Sequence, residues 1–145
     1  MVDGHEITIR QIGPDDLRLL MSVRPGLFDN PLDPEQARAF LNDDRNWLFL
    51  AFDDDEAVGM ASGTVLLHPD KQPALFINEV GVRDSHLRRG IGKQVTQALI
   101  DYARADGING IWLGTEPDNA AACALYRSLG GDEVPGVFFG WDDAL

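Results

Sequence analysis

The chain has one cysteine, Cys123, in 145 residues. A single thiol cannot build an internal disulfide framework, and this suits a reducing compartment. No apolar run reaches the roughly 18 residues that cross a bilayer, and the opening MVDGHEITIR lacks the basic-then-apolar order of a secretory leader. The expectation is a cytoplasmic protein with no membrane partner. Basic residues are scarce too: 12 Lys and Arg stand against 24 Asp and Glu, a formal net charge of −12. Such a chain repels phosphate backbones, which argues against nucleic acid and favours a cationic partner. Solubility alone would also account for the charge. The three histidines, His5, His68 and His86, are scattered without metal-ligand spacing, so no metal is expected and they read as surface residues. Trp47, Trp112 and Trp141 read as core or strand-face residues.

What is present is an ordinary globular composition, 44% hydrophobic and 25% charged, which excludes disorder and suits one domain over residues 1–145. Alternation predicts a strand over 6–12. Gly13-Pro14 then breaks the pattern before a helix through Leu17, Leu20 and Met21. Pro34 opens a second helix carrying Ala37, Phe40 and Leu41, and an irregular loop joins the two. The run WLFLAF, residues 47–52, predicts a buried strand whose hairpin partner spans 57–67 across Asp53-Asp54-Asp55. A fourth strand is expected over 74–82, with Gly59 and Gly63 in the third marking bulges or close packing. A long helix over 92–105 follows, stopped at Gly107, with Val95, Ala98, Leu99, Tyr102 and Ala103 on its buried face. Residues 110–115 predict a fifth strand, and 120–129 a helix capped by Asp118 or Asn119. Residues 134–141 read as a last hairpin. The pattern is α/β, or α+β, built on a mixed, mostly antiparallel sheet of about seven strands flanked by about four helices.

One stretch, NEVGVRDSHLRRGIGKQVTQALIDYARA, organises the rest. It runs from strand through a basic glycine turn into the long helix, and four of the 12 basic residues lie between positions 83 and 93: Arg83, Arg88, Arg89 and Lys93. A helix N-terminus offers free amides and the positive end of a dipole, so this is an anion site, most naturally for phosphate. Gly90-Ile91-Gly92 does not complete a dinucleotide fingerprint, because Val95 stands where the last glycine belongs. Nor is it a P-loop, because Gln94 replaces the magnesium-binding Ser or Thr after Lys93. What remains is a backbone able to approach a pyrophosphate closely, with Arg88, Arg89 and Lys93 to neutralise it.

With RRGIG opening a helix, NEVGV before it and DNAAACALYRSLGG some thirty residues on, the sequence resembles the GCN5-related N-acetyltransferases. The resemblance covers residues 75–131, and the N-terminal part matches by order of elements. Where the family pattern has Gln or Arg three residues before the first glycine, this chain has Leu87. The resemblance implies acetyl-CoA as co-substrate. Val80 and Val82 would bond the pantetheine arm through their backbones, on a strand splayed by a bulge near Gly81. Arg88, Arg89, Gly90, Ile91, Gly92 and Lys93 would hold the pyrophosphate. Asn119 matches an Asn near the cofactor, and Tyr126 the family's usual tyrosine.

Acetyl transfer to an amine needs a base for the ammonium and an acid for the departing thiolate. Tyr126 is the candidate acid, against a packing role beside Ala122, Leu125 and Leu129. Glu79 is the candidate base, directly or through water, or else an anchor for a cationic acceptor; Glu116 is the second such carboxylate. The Val80 amide would meet charge developing on the carbonyl oxygen. Cys123 reads as core filler, with no His–Asp pair to activate it. Within the family the closest likeness is to small aminoglycoside 3-N-acetyltransferases, through Glu79, Glu116, Ala124-Leu125-Tyr126 and Leu129-Gly130. A polycationic acceptor suits the net charge, with Glu79, Glu116, Asp142 and Asp143 to bind it. The alternatives are another amine (a peptide N-terminus, lysine, polyamine or metabolite) and a non-catalytic acyl-CoA sensor. The terminal strands could also build a homodimer.

Overall fold

The run at 47–52 is apolar at every position because its strand is covered on both faces. Trp47, Phe49 and Ala51 point into one cluster, and Leu48, Leu50 and Phe52 into another, as strand alternation requires. This is a computed structural model that describes residues 6–145. The chain divides into two compact units, Met1–Gly114 and Thr115–Leu145.

In the first unit the elements are β1 (Ile7–Ile12), α1 (Leu17–Met21), α2 (Pro34–Asn42), β2 (Asn46–Asp53), β3 (Glu56–Leu66), β4 (Ala74–Val82), α3 (Ile91–Ala105) and β5 (Gly110–Trp112). Short 3-10 turns, Pro14–Asp16 and Asp84–His86, precede α1 and α3. The strands form one sheet in sequence order, antiparallel from β1 to β4 and parallel between β4 and β5. The parallel pair needs a crossover, and α3 supplies it. Ile91, Val95, Thr96, Leu99 and Ala103 of α3 are buried in the first cluster. Tyr102 is 40% exposed, yet its ring meets Trp47 edge-on at 4.8 Å between centroids. The helix ends on Gly107 at φ +85°. There the Ile108 amide donates to the Ala103 carbonyl and the Gly107 amide to that of Arg104, the double bond of a Schellman end. The other face of the sheet carries α1 and α2, with Leu20, Ala37 and Leu41 packed in the second cluster.

The second unit contains α4 (Ala120–Ser128). The Asn119 side chain caps it by accepting from the Ala122 amide at 3.1 Å, and Gly130 ends it at φ +89°.

Several expectations are corrected. The described sheet has five strands, not about seven. No strand forms over 134–141, where Pro135 lacks an amide donor and Gly136 and Gly140 add no side chain to pack. The fifth strand stops at Trp112, so Glu116 lies beyond it in the second unit. Trp47 is core and Trp112, 53% exposed, is a strand-face residue of β5 whose ring lies against Phe76, with centroids 4.6 Å apart; Trp141, 74% exposed, is in no strand. His5 lies outside the described residues.

Candidate functional site

The pairing of β4 decides what its backbone can do. Toward β5 it is paired only at Ala74, Leu75 and Phe76, so no described strand pairs with that edge from Ile77 onward. Toward β3 the partners are Val82 with Gly59, Gly81 with Met60, Val80 with Ala61 and Glu79 with Ser62. An antiparallel ladder alternates hydrogen-bonded and non-hydrogen-bonded pairs. The Arg83 amide donates to the Val58 carbonyl at 2.9 Å, which sets the phase. Gly81 and Glu79 therefore turn their main-chain groups to β3, while Val80 and Val82 turn theirs to the open edge. The two valines singled out in the sequence present free backbone donors and acceptors.

The bulge is not at Gly81. The register steps between Ser62 and Gly63, from Glu79 to Ile77 on the facing strand, so the extra residue is Asn78. Its side chain donates to Thr64 Oγ1 at 2.9 Å. Gly81 answers a different demand, since a Cβ there would lie 3.0 Å from the Leu27 carbonyl oxygen. The loop between α1 and α2 crosses this face of β4, the face Glu79 shares by alternation.

After β4 the chain makes its 3-10 turn and enters the basic loop. Arg88 and Gly90 both take left-handed backbone, at φ +66° and +75°. Alternating left- and right-handed residues curl successive amides into an anion-binding concavity. The Gln94 amide bonds the Gly90 carbonyl at 3.0 Å, so Ile91, Gly92 and Lys93 carry the free amides of the first helical turn. Arg88, Arg89 and Lys93 are exposed beside it. Leu87 is 52% exposed.

His86 is not the surface bystander the sequence suggested. Its side chain is 12% exposed, with Nε2 2.8 Å from Asp53 Oδ2. Ser85 Oγ lies 2.7 Å from Nδ1. A neutral ring that donates from Nε2 to the carboxylate accepts the serine hydroxyl on Nδ1. The pair fastens the foot of the basic turn to the end of β2.

Glu79 is exposed as a residue, yet packing around its carboxyl raises its pKa above the ordinary value, and the charge of Asp29 raises it further. Asp29, from the loop between α1 and α2, is a candidate site residue that sequence reasoning missed. In the second unit, burial raises the Tyr126 hydroxyl, with Cys123 adding to the effect. Cys123 is half-buried and reaches the Glu116 carbonyl at 3.9 Å. Asn119 spends its Oδ1 on the cap of α4. Asp142 and Asp143 both take left-handed backbone in an exposed turn. Among the described residues no group of His, Cys, Asp and Glu could hold a metal, and no helix is long and apolar enough to cross a membrane.

The sequence profile of the acetyltransferase (GNAT) family matches residues 17–130. The chain belongs to the GNAT acetyltransferase family. Among curated relatives it is 31% identical over 137 residues to the mycothiol acetyltransferase of Renibacterium salmoninarum, covering 86% of this chain and 40% of the relative. It is 36% identical over 81 residues to the ribosomal protein bS18-alanine N-acetyltransferase of Salmonella typhimurium, covering 56% of this chain and 51% of that one. The chain thus spans two fifths to about half the length of these relatives. Among solved structures, the aminoglycoside N-acetyltransferase AAC(6′)-Iy superposes with a TM-score of 0.78 at 23% identity, over 96% of this chain and 99% of that one. That enzyme has been solved with CoA and with a CoA-linked bisubstrate analogue. The fold is the GNAT α/β fold. The 3-N position expected from the sequence is not supported, since AAC(6′)-Iy is named for the 6′ position.

Proposed function

We propose that this GNAT domain transfers an acetyl group from acetyl-CoA directly to a primary amine of a cationic small molecule, with aminoglycosides the leading class. The observation that carries the reading is the continuity of β4, turn and α3. The Val80 and Val82 main chains face an open edge, and that strand leads through two left-handed residues to a basic helix N-terminus. An arm with amide groups followed by a pyrophosphate matches that order of donors.

Acetyl-CoA would supply the activated acetyl thioester. The chain's own residues would do the rest. The main chains of Val80 and Val82 would pair with the amide-bearing arm, and the amides and side chains from Arg88 to Lys93 would hold the phosphates. The Glu79 carboxylate, directly or through water, would take the ammonium proton so that the nitrogen lone pair can attack. As the carbon–nitrogen bond forms and the carbon–sulfur bond breaks, the Tyr126 hydroxyl would give its proton to the leaving sulfur, and the nitrogen would lose its second proton to solvent. The Val80 amide, on the open edge, would donate to the carbonyl oxygen as charge gathers there. Glu116, Asp142 and Asp143 would attract the cationic acceptor. Both units, residues 1–145, would serve this one activity.

The test is free-thiol release from acetyl-CoA across aminoglycosides, polyamines, peptides and small amines. Turnover with aminoglycosides is the expected result, and release only with a peptide bearing N-terminal alanine would favour the second reading, toward which the bS18 relative points. Tight acetyl-CoA binding without turnover on any amine would overturn both in favour of a sensor.

A homodimer is proposed through residues 134–141. Val134, Val137, Phe138, Phe139 and Trp141 are 60% to 80% exposed. Large aromatic side chains cover about 150–250 Å² each, so this segment alone approaches the roughly 800 Å² per partner of a stable interface.

A further inference from the structure

Arg83 follows β4 and is buried, its side chain 8% exposed. Its guanidinium serves main-chain oxygens before any acid. Nε donates to the Ala57 carbonyl at 2.8 Å, Nη1 to Pro25 at 2.9 Å and Nη2 to Arg24 at 2.8 Å. The Glu56 carboxylate stands farther off, at 3.6 Å from Nε, and also pairs with Arg24. Ala57 belongs to β3, whereas Arg24 and Pro25 belong to the loop that leaves α1. A guanidinium holds its donors in one rigid plane, so bonds to two elements set their distance and orientation together.

The loop is held close along its length. A Cβ on Gly26 would lie 3.2 Å from Arg83 Nη1, and Gly26 sits at φ +108°. One residue on, the Leu27 carbonyl oxygen lies so near β4 that a Cβ at position 81 would sit 3.0 Å from it. Two residues further is Asp29, whose charge is felt at Glu79. The clamp therefore fastens this loop beside the face of β4 that carries the candidate base. Nothing in the acetyl-CoA half of the site, from Arg88 to Lys93, takes part in it.

We propose that Arg83 is a positioning residue for the acceptor: its guanidinium fixes the 24–29 loop as a wall of the amine site beside Glu79, and so sets amine affinity. The proposal rests on the acetyl-transfer reading above. Two variants approach it from opposite sides: Arg83→Lys keeps the charge but loses the planar fork, and Gly26→Ala leaves Arg83 intact and pushes on the loop.

In both, KM for the best amine of the panel should rise about tenfold while kcat stays within about twofold, the signature of lost ground-state binding. Acetyl-CoA affinity, read by calorimetry, should not change. Backbone amides at 26–29 should exchange hydrogen faster than in the parent protein. A merely structural role would lower the melting temperature and the fraction of active protein, leaving amine KM where it was. Amine KM unchanged in both variants, or acetyl-CoA affinity falling in step with it, would overturn the proposal. If Arg83→Lys fails to fold, Gly26→Ala decides. If the parent protein releases thiol with no amine at all, the acetyl-transfer reading fails first. Exchange at 26–29 then judges the clamp separately, and unchanged exchange in the variants overturns it.

Discussion

The Tyr126 hydroxyl is pushed up from the ordinary tyrosine value by burial, then by Cys123, so it is fully protonated at neutral pH. That is the state a proton donor to sulfur needs. Tyr126→Phe removes the proton and little else, and should lower kcat by about 100-fold, the low end for a general acid, with acetyl-CoA affinity unchanged by calorimetry. Glu79 carries the opposite demand, because a base must be ionised. Its pKa is raised first by desolvation and then by Asp29, so the acid limb of kcat/KM should lie above the ordinary carboxylate range. Asp29→Asn removes a negative neighbour and should move that limb to lower pH, which a pH–rate profile reads directly. The same shift bears on stability. A carboxyl raised in the folded state contributes stability below its ordinary value, and loses it as pH rises through the raised one. Glu79→Gln should therefore raise the melting temperature relative to the parent protein at neutral pH, and not in acid. The places of the candidates Glu79, on β4, and Tyr126, on α4, were legible from sequence because motif and alternation set them. Asp29 was not, because a loop without periodicity gives no sign of the strand it will cross.

At the scale of the element, β4 and the turn after it use glycine for two different reasons. Gly90 has open space around its missing side chain but a left-handed backbone. Gly90→Ala should cost on the order of 1 kcal/mol in backbone strain and weaken acetyl-CoA binding. Gly81 has no positive φ, but the Leu27 carbonyl oxygen is 3.0 Å from its would-be Cβ. Gly81→Ala should cost roughly 1–3 kcal/mol as an overpacked contact and act on the amine, with acetyl-CoA affinity preserved. Denaturant titration and calorimetry on the two variants separate these outcomes. The strand and helix themselves were plain in the sequence, α3 to within one residue at its start. The bulge was not: the register is set by two strands jointly, and the sequence of β4 alone does not say which residue steps out of the ladder. His86 was misread for a similar reason, since Asp53 is 33 positions away in the chain and the pairing of β2, β3 and β4 brings it near.

For the whole molecule, ligand binding to the folded state alone raises apparent stability. Acetyl-CoA should raise the melting temperature, and ATP or NAD at equal concentration should not; equal protection by all three would count against the pantetheine edge as the binding element. The exposed apolar segment at 134–141 predicts self-association in sedimentation velocity, with Phe139→Asp shifting the protein toward monomer. A monomeric parent protein would contradict the proposed interface. The sequence by itself determined the layered α/β arrangement, because periodicities of two and 3.6 residues and the caps that punctuate them are local properties. It also determined the basic glycine turn at the start of α3, the proposed anion site, because glycine, basic residues and a helix start stand side by side in the chain. Only the tertiary structure decided the strand number and the position of the bulge. It alone revealed the bonds of Arg83 to Arg24, Pro25 and Ala57 and the influence of Asp29 on Glu79. Each of these depends on groups far apart in sequence, whose approach is settled by packing two faces of one sheet.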